Sequence, residues 1–282
     1  MPTAIVLGTF DGLHNGHRAV ISLARGFYTV AVTFNIPPKF FSCAEQSLLM
    51  TVEDKAAGLK KLGVNEICTL DFGKVSGISP AGFLEDIVKR FSPSLIVCGF
   101  NYRFGKGAAG NTDTLAKFCK EKNIELKIAK CVGEGEPVSS SMIRTLISGG
   151  NVAAANELIF GGFGFTSAVL HGDSRGSRLG FPTVNQVFPK SLTVPKFGVY
   201  ESRVIIDKVT YKSITNLGMR PTYKTDYIGC ETFIKGFSGD VYGKEVTLKL
   251  IRFIREEKKF SGEKELSDAV RNDIKTVLDI EL

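Results

Sequence analysis

The 282-residue sequence predicts an α/β protein in two parts: a doubly wound parallel sheet, then an antiparallel β-barrel closed by one terminal helix. Three observations carry that prediction. The length exceeds the roughly 100–200 residues of an ordinary domain, which favours two compact units. Up to about residue 130, short apolar runs alternate with segments of helical period, the pattern of a parallel sheet covered on both faces. Beyond Ile159, β-rich stretches follow one another with turn signals between them, and helical period returns only at the C-terminal end.

The strand-like runs of the first part are Thr3 to Leu7, Tyr28 to Phe34, Glu66 to Leu70, Ser94 to Cys98 and Glu125 to Ala129. Between them, Gly16 to Arg25, Thr51 to Leu62, Pro80 to Arg90 and Thr112 to Lys122 have helical period. Thr51 ahead of Asp54, and Ser79 ahead of Pro80, are helix-start signals. A sheet of this kind binds ligands beyond the carboxyl ends of its strands. The run Phe160-Gly161-Gly162-Phe163-Gly164 breaks helicity and divides the chain into domains 1–157 and 158–282. The second part has strand-like stretches at Phe165 to Leu170, Gly198 to Ile206, Val209 to Leu217, Cys230 to Lys235 and Val246 to Ile254. A helix over about Glu263 to Leu278 sets Val270, Ile274 and Leu278 on one stripe, ready to lie against the barrel.

Composition narrows the function. With 43% hydrophobic and 23% charged residues the chain is a folding sequence, not a disordered one. The net charge of +7 suits an anionic ligand. No run of basic residues exceeds two, and the excess divides as +3 and +4 about Glu157, which fits phosphate-sized ligands and not nucleic acid. No stretch approaches the roughly 18 apolar residues of a membrane helix. The start MPTAIVLGTF has no basic leader. Six cysteines without metal-ligand spacing read as reduced thiols, so a cytoplasmic protein is expected, a monomer or weak homo-oligomer. Three histidines are too few for a His-built metal centre.

Two constellations carry the chemistry. The first strand runs into Gly8-Thr9-Phe10-Asp11-Gly12-Leu13-His14-Asn15-Gly16-His17 and then into a helix. Glycine at a strand end lets a ligand approach the backbone, and free N–H groups at a helix start favour anions. His14 and His17, three apart, would lie on one face. Ser139-Ser140-Ser141-Met142-Ile143-Arg144 offers hydroxyls, N–H groups and a fixed cation at another helix start. Asn101, Arg103 and Lys106 follow the fourth strand; Arg103 and Lys106 hold phosphates or are solvated loop charges. Asp11 reads as a helix-start or turn-bonding residue. The second constellation is His171 to Asn185, ending Leu179-Gly180-Phe181-Pro182-Thr183-Val184-Asn185. Thr183 and Asn185, two apart on extended backbone, point the same way, and their oxygens suit a hard cation such as Mg²⁺. His171 belongs either to a loop closing over a nucleotide or to a turn that it caps.

These motifs resemble the nucleotidylyltransferase superfamily and, within it, the prokaryotic bifunctional riboflavin kinase/FAD synthetases. GTFDGLHNGH is similar to that family's adenylylation signature, and the SSSMIR run is similar to a second element of it. The stretch from Leu179 to Asn185 resembles the kinase PTAN motif with Val184 for Ala. Gly198-Val199-Tyr200, Asn216-Leu217-Gly218-Met219-Arg220-Pro221-Thr222-Tyr223, Glu231-Thr232-Phe233, Gly239-Asp240-Val241-Tyr242-Gly243 and the segments around Arg255 and Asp273 follow in the family's order.

The resemblance implies ATP-dependent phosphorylation of riboflavin to FMN, with Glu231 as base. It also implies adenylylation of FMN by ATP to FAD, with His14, His17 and Arg144 neutralising charge on the transferring group. Gly8, Thr9, Phe10, Asn101, Arg103, Ser140 and Ser141 would bind in the first part, and Gly172, Gly180, Thr183, Asn185 and Arg255 in the second. Thr183 and Asn185 would be the Mg²⁺ ligands. The partners implied are riboflavin, FMN and ATP, without nucleic acid or membrane. One departure stands out: Phe34-Asn35-Ile36-Pro37-Pro38 occupies the place of a family FDPHP-like stretch, so its histidine is missing. Asn35 or Lys39 is expected to compensate, or adenylylation to be slower; the alternative is a riboflavin kinase alone.

Overall fold

The computed structural model describes residues 1–41, 47–131, 138–171, 180–220, 227–258 and 260–278. In the first unit β1 (Thr3–Leu7), β2 (Tyr28–Phe34), β3 (Glu66–Leu70), β4 (Leu95–Gly99) and β5 (Glu125–Ala129) form a parallel sheet of order β3-β2-β1-β4-β5. Ile5, Leu7, Val30, Val32, Ile96 and Cys98 face one core with Phe83, Leu84, Ile87, Leu115 and Phe118 from α4 (Pro80–Phe91) and α5 (Thr112–Glu121). The alternate residues Ala4, Val6, Ala31, Leu95 and Val97 are buried as well, so both faces are covered and the strands read as unbroken apolar runs. The chain winds from β1 outward through β2 to β3, then crosses back to add β4 and β5 on the other side of β1. Loops at the carboxyl ends of β1 and β4 therefore diverge and open a crevice.

The helix starts are capped as the sequence predicts. Thr51 Oγ1 accepts the Asp54 N–H at 3.0 Å ahead of α2 (Val52–Lys61), and Ser79 Oγ accepts the Gly82 N–H at 3.1 Å ahead of α4. Two further helices add to those the sequence predicts: α3 (Phe72–Val75), between β3 and α4, and α7 (Val152–Leu158), which follows α6 (Ser140–Ser148). One compact unit comprises residues 1–143 with 158–160, and the other 144–157 with 161–282. The change thus falls inside α6, whereas the sequence reading divides the chain at 157/158. Asn156 shows why α7 goes with the second unit: its Nδ2 donates to the Leu250 carbonyl at 2.8 Å, and its Oδ1 accepts the Phe163 N–H at 2.7 Å.

The second unit is an antiparallel sheet of β6 (Gly164–Ala168), β7 (Thr183–Val187), β8 (Gly198–Ile206), β9 (Val209–Arg220), β10 (Tyr227–Ile234) and β11 (Glu245–Arg255), in the order β6-β11-β8-β9-β10-β7. It curls until its edges meet. Leu170 N–H donates to the Asn185 carbonyl at 2.8 Å, and the buried Gln186 Nε2 donates to the carbonyls of Ser167 and Val246 at 3.0 and 2.9 Å. Joining β7 to the β6 side in this way leaves no free edge there. Inside, the fully buried hydroxyls of Ser213, Ser202, Thr215 and Thr232 form a chain of hydrogen bonds at 2.7, 2.8 and 2.9 Å. Every member has a partner, so the polar row is tolerated in the interior. Outside, Phe181, Val199 and Ile214 pack with Ile274 and Leu278 of α8 (Glu263–Leu278), flanked by Phe233 and Val270.

Candidate active sites

The first site grows from the end of β1. A Cβ on Gly8 would lie 3.0 Å from the Phe10 ring, so the strand end must be glycine to stay close to its neighbours. Phe10 and Leu13 take φ of 51° and 42°, left-handed values that cost a bulky residue about 1–3 kcal/mol. Both side chains are fully buried, and that packing holds the strained turn. Thr33 Oγ1 donates to the Thr9 carbonyl at 2.9 Å, and Asp11 Oδ1 accepts the Leu49 N–H at 2.9 Å. Asp11 therefore ties two loops together and does not cap α1 (Asn15–Ser22), whose N-cap is His14.

His14 and His17 stack with ring centroids 3.8 Å apart, and Phe10 meets His17 edge-on at 5.3 Å. The Nδ1 atoms of both histidines are buried with no hydrogen-bond partner among the described residues. Burial lowers the His14 imidazole to about 4. Burial pushes His17 well below the usual imidazole range, with His14 and Lys55 adding to the effect. Without a ligand, then, the pair is neutral near pH 7 and holds unsatisfied nitrogens, ready for an anion that brings its own charge. Ser139 Oγ accepts the Met142 N–H at 3.2 Å at the start of α6, and the Ser140 hydroxyl donates to the Asp11 carbonyl at 3.0 Å. Ser140 therefore anchors the helix start to the histidine loop. Ser141 is exposed beside it, and Arg144 follows one turn on, half-buried, where the chain enters the second unit. Asn101 and Arg103 are exposed just past β4.

The surroundings of the departure at Asn35 can be described in part. Asn35 is exposed, and the Lys39 side chain lies outside the described residues. The buried cation next to this stretch is Lys55 of α2. It is 5% exposed, and its Nζ donates to the carbonyl of Phe34, at the end of β2 beside the missing position. Burial lowers its ammonium, and the Asp11 carboxylate opposes that. The sequence held a signal for it: Lys55, Gly58 and Leu59 share the buried stripe of α2, and a lysine on such a stripe calls for a partner.

In the second unit, sheet register builds the site. Glu231 of β10 lies directly opposite Asn185 of β7 on one side and Asn216 of β9 on the other. Directly opposed residues share a face with Cβ atoms about 5 Å apart. Thr183 is opposite Phe233 on that same face. Thr232 points into the barrel, so by the period of two Glu231 and Phe233 point outward, toward the α8 side. The predicted base and both predicted cation ligands thus form one outward patch of oxygen donors. Among the described residues no group of three or more His, Cys, Asp or Glu is disposed to hold a metal. The side-chain oxygens of Thr183 and Asn185 suit a hard divalent cation that keeps water and phosphate ligands. Arg220 reaches the same patch, with Nε 3.2 Å from Glu231 Oε1.

Arg255 binds Asp273 through Nε at 3.0 Å and Nη2 at 2.6 Å, at the rim of a cavity of about 420 Å³ lined also by Glu257, Phe260 and Asn272. Gly180 takes φ of 87° just before Phe181. Gly172 lies outside the described residues. His171 stacks on Tyr242 with ring centroids 3.9 Å apart, and the loop after it lies outside the described residues.

A histidine pair at the switch point of a parallel sheet, and a carboxylate–amide row on a closed barrel, together define a two-site transferase that uses nucleotide phosphates. Residues 1–142 match the FAD synthetase family model, and residues 162–280 the riboflavin kinase model. A bifunctional riboflavin kinase/FMN adenylyltransferase of Listeria monocytogenes is 32% identical over 92% of this chain and 86% of its own length. One of Bacillus subtilis is 29% identical over 96% of this chain and 90% of its own. A solved Streptococcus pneumoniae chain described as a macrolide-efflux protein superposes with TM-score 0.88 at 28% identity, covering 99% of this chain and 95% of its own. In the present chain no helix among the described residues is long and apolar enough to cross a membrane. The chain belongs to the bifunctional riboflavin kinase/FMN adenylyltransferase family.

Proposed function

We propose that the second unit phosphorylates riboflavin to FMN, and that the first adenylylates FMN to FAD with release of pyrophosphate, each using ATP. What supports this most is the row Asn185–Glu231–Asn216, in which a half-exposed carboxylate stands between two amides on one open face. Glu231 accepts the proton of the riboflavin primary hydroxyl as that oxygen attacks the γ-phosphorus. Thr183 and Asn185 would hold Mg²⁺, which when bound neutralises charge on the nucleotide phosphates. In the first unit no protein nucleophile is needed. His14 and His17 meet the ATP phosphates with their unsatisfied nitrogens, Ser141 and Arg144 add a hydroxyl and a cation, and the FMN phosphate attacks the α-phosphorus in line. Arg103 and Asn101 contact the nucleotide from the β4 loop. The five free cysteines among the described residues fit a reducing, cytoplasmic setting.

The test supplies each activity separately. Glu231→Ala should lower FMN formation from riboflavin by roughly 10²–10⁴-fold, while FAD and pyrophosphate still form from supplied FMN and ATP. If both activities fall together in a folded variant, the two-site reading fails. If wild-type protein makes no FAD from FMN, the adenylylation assignment fails.

A further inference from the structure

Arg220 ends β9 at the edge of the described chain and is turned back over the sheet. Its Nε lies 3.2 Å from Glu231 Oε1 and its Nη1 lies 3.7 Å from Glu257 Oε1. Asn216 Nδ2 donates to that same Glu257 oxygen at 3.3 Å, which closes a ring of Glu231, Arg220, Glu257 and Asn216. The sheet makes room for the ring. Gly218 and Gly229 are directly paired between β9 and β10. A Cβ on Gly229 would stand 2.7 Å from Arg220 Cγ, and one on Gly218 would stand 2.1 Å from Glu257 Oε1. Two glycines facing each other thus open a slot through which the guanidinium crosses and into which the Glu257 carboxylate descends.

The geometry of the contact matters. Arg220 Nε is buried and has no hydrogen-bond partner among the described residues, although the Glu231 oxygen is near. The tie to Glu231 is therefore coulombic and not a fixed, aligned hydrogen bond. A carboxylate held this way keeps its place beside the cation yet can rotate to receive a proton. The Glu231 side chain is 45% exposed and that of Glu257 37%, so these pairs contribute little to folding. A paired-glycine slot serving contacts of such small stabilising value points to orientation as its role.

We propose that Arg220 is a positioning residue for phosphoryl transfer: it holds the Glu231 carboxylate within the Asn185–Glu231–Asn216 row and couples it to Glu257, on the segment after β11. This rests on Glu231 being the base. Misplacing a base by a fraction of an ångström to one ångström costs up to about a hundredfold in rate.

The experiment measures FMN formation by Arg220→Met, Arg220→Lys, Glu257→Gln, the Arg220→Met/Glu257→Gln double variant and Glu231→Gln, with FAD formation from supplied FMN as the folding control. Arg220→Met is expected to lower kcat roughly ten- to hundredfold with KM for ATP within about twofold of wild type. Arg220→Lys should recover part of the rate. Glu257→Gln should have almost no additional effect once Arg220 is gone, because both act through one ring. Wild-type kcat in Arg220→Met, with Glu231→Gln inactive, overturns the proposal and leaves the base reading intact. An active Glu231→Gln overturns the base reading and this proposal with it. Loss of both FMN and FAD formation in Arg220→Met and Arg220→Lys alike shows a merely structural role and also overturns it.

Discussion

The stacked imidazoles should impose a measurable pH dependence on stability, and His14→Gln isolates it. His14 is 8% exposed, and burial lowers it from 6.5 to about 4. A native value below the unfolded one means that the unfolded chain takes up the proton first. Stability is therefore full above pH 6.5 and is lost as pH falls toward 4. With about 1.36 kcal/mol per unit, the term reaches roughly 3 kcal/mol when both states are protonated. Between pH 7 and pH 5 it amounts to about 2 kcal/mol. Urea unfolding of wild type and His14→Gln at pH 7, 6 and 5 measures it, because the carboxylates that titrate nearby are common to both proteins. The stability difference between the two should move in favour of the variant by about 2 kcal/mol over that interval. Parallel curves would refute the reasoning, because they would mean that His14 is solvated or already paired in the native state. A ligand should reverse the trend: a bound polyphosphate favours protonated imidazoles, so the complex should take up protons on forming.

Two further substitutions probe the scaffold. Lys55→Met removes the ammonium that the Phe34 carbonyl accepts, and should cost about 1.5–3 kcal/mol in urea unfolding. It should also let the His17 resonances titrate at higher pH by NMR, because Lys55 is one of the charges holding that ring down; an unmoved titration would place Lys55 outside the site. Ile274→Ala, at a position 1% exposed between α8 and the barrel, should cost about 2–4 kcal/mol, and a loss below 1 kcal/mol would mean that α8 does not pack there.

Legibility in the sequence follows the range of the interactions. The five parallel strands could be read because burial on both faces writes them as apolar runs, and the helix starts because Thr51 and Ser79 bond only three residues on. His14 and His17 were legible for the same reason, since three residues on a helix start bring two rings into stacking distance. β7 was harder: Thr-Val-Asn-Gln-Val is only partly buried and pairs with β10, some forty residues later. The extension of β9 to Arg220 was missed because Gly218 within it reads as a turn, when it is in fact a slot opposite Gly229. Asp11 and Lys55 escaped a local reading because their partners, Leu49 and Phe34, arrive from other connections. The bonds by which Asn156 ties α7 to Leu250 and Phe163 are likewise beyond a local reading, because no composition shift records them.

The two candidate sites hold their polar groups in opposite states, and the scaffold explains why. In the first unit, the turn after β1 buries the rings of His14 and His17, so they stay uncharged, with Nδ1 unsatisfied among the described residues. An incoming polyphosphate supplies the charge and can draw protons onto them. In the second unit the functional groups stand on the outer face of a curled sheet, still reached by water. Their charges are already paired before any ligand arrives: Arg220 with Glu231 and Glu257, and Arg255 with Asp273. There the proposed base, Glu231, already stands beside the Arg220 cation before a substrate arrives. A strand-end crevice can afford unsatisfied nitrogens because it excludes the solvent that would otherwise fill them. An open sheet face cannot exclude it, and must hold its carboxylate in place with a neighbouring cation. One unit thus presents buried neutral imidazoles and the other a pre-paired carboxylate, because the first pair is enclosed by its loop and the second stands on an open sheet face.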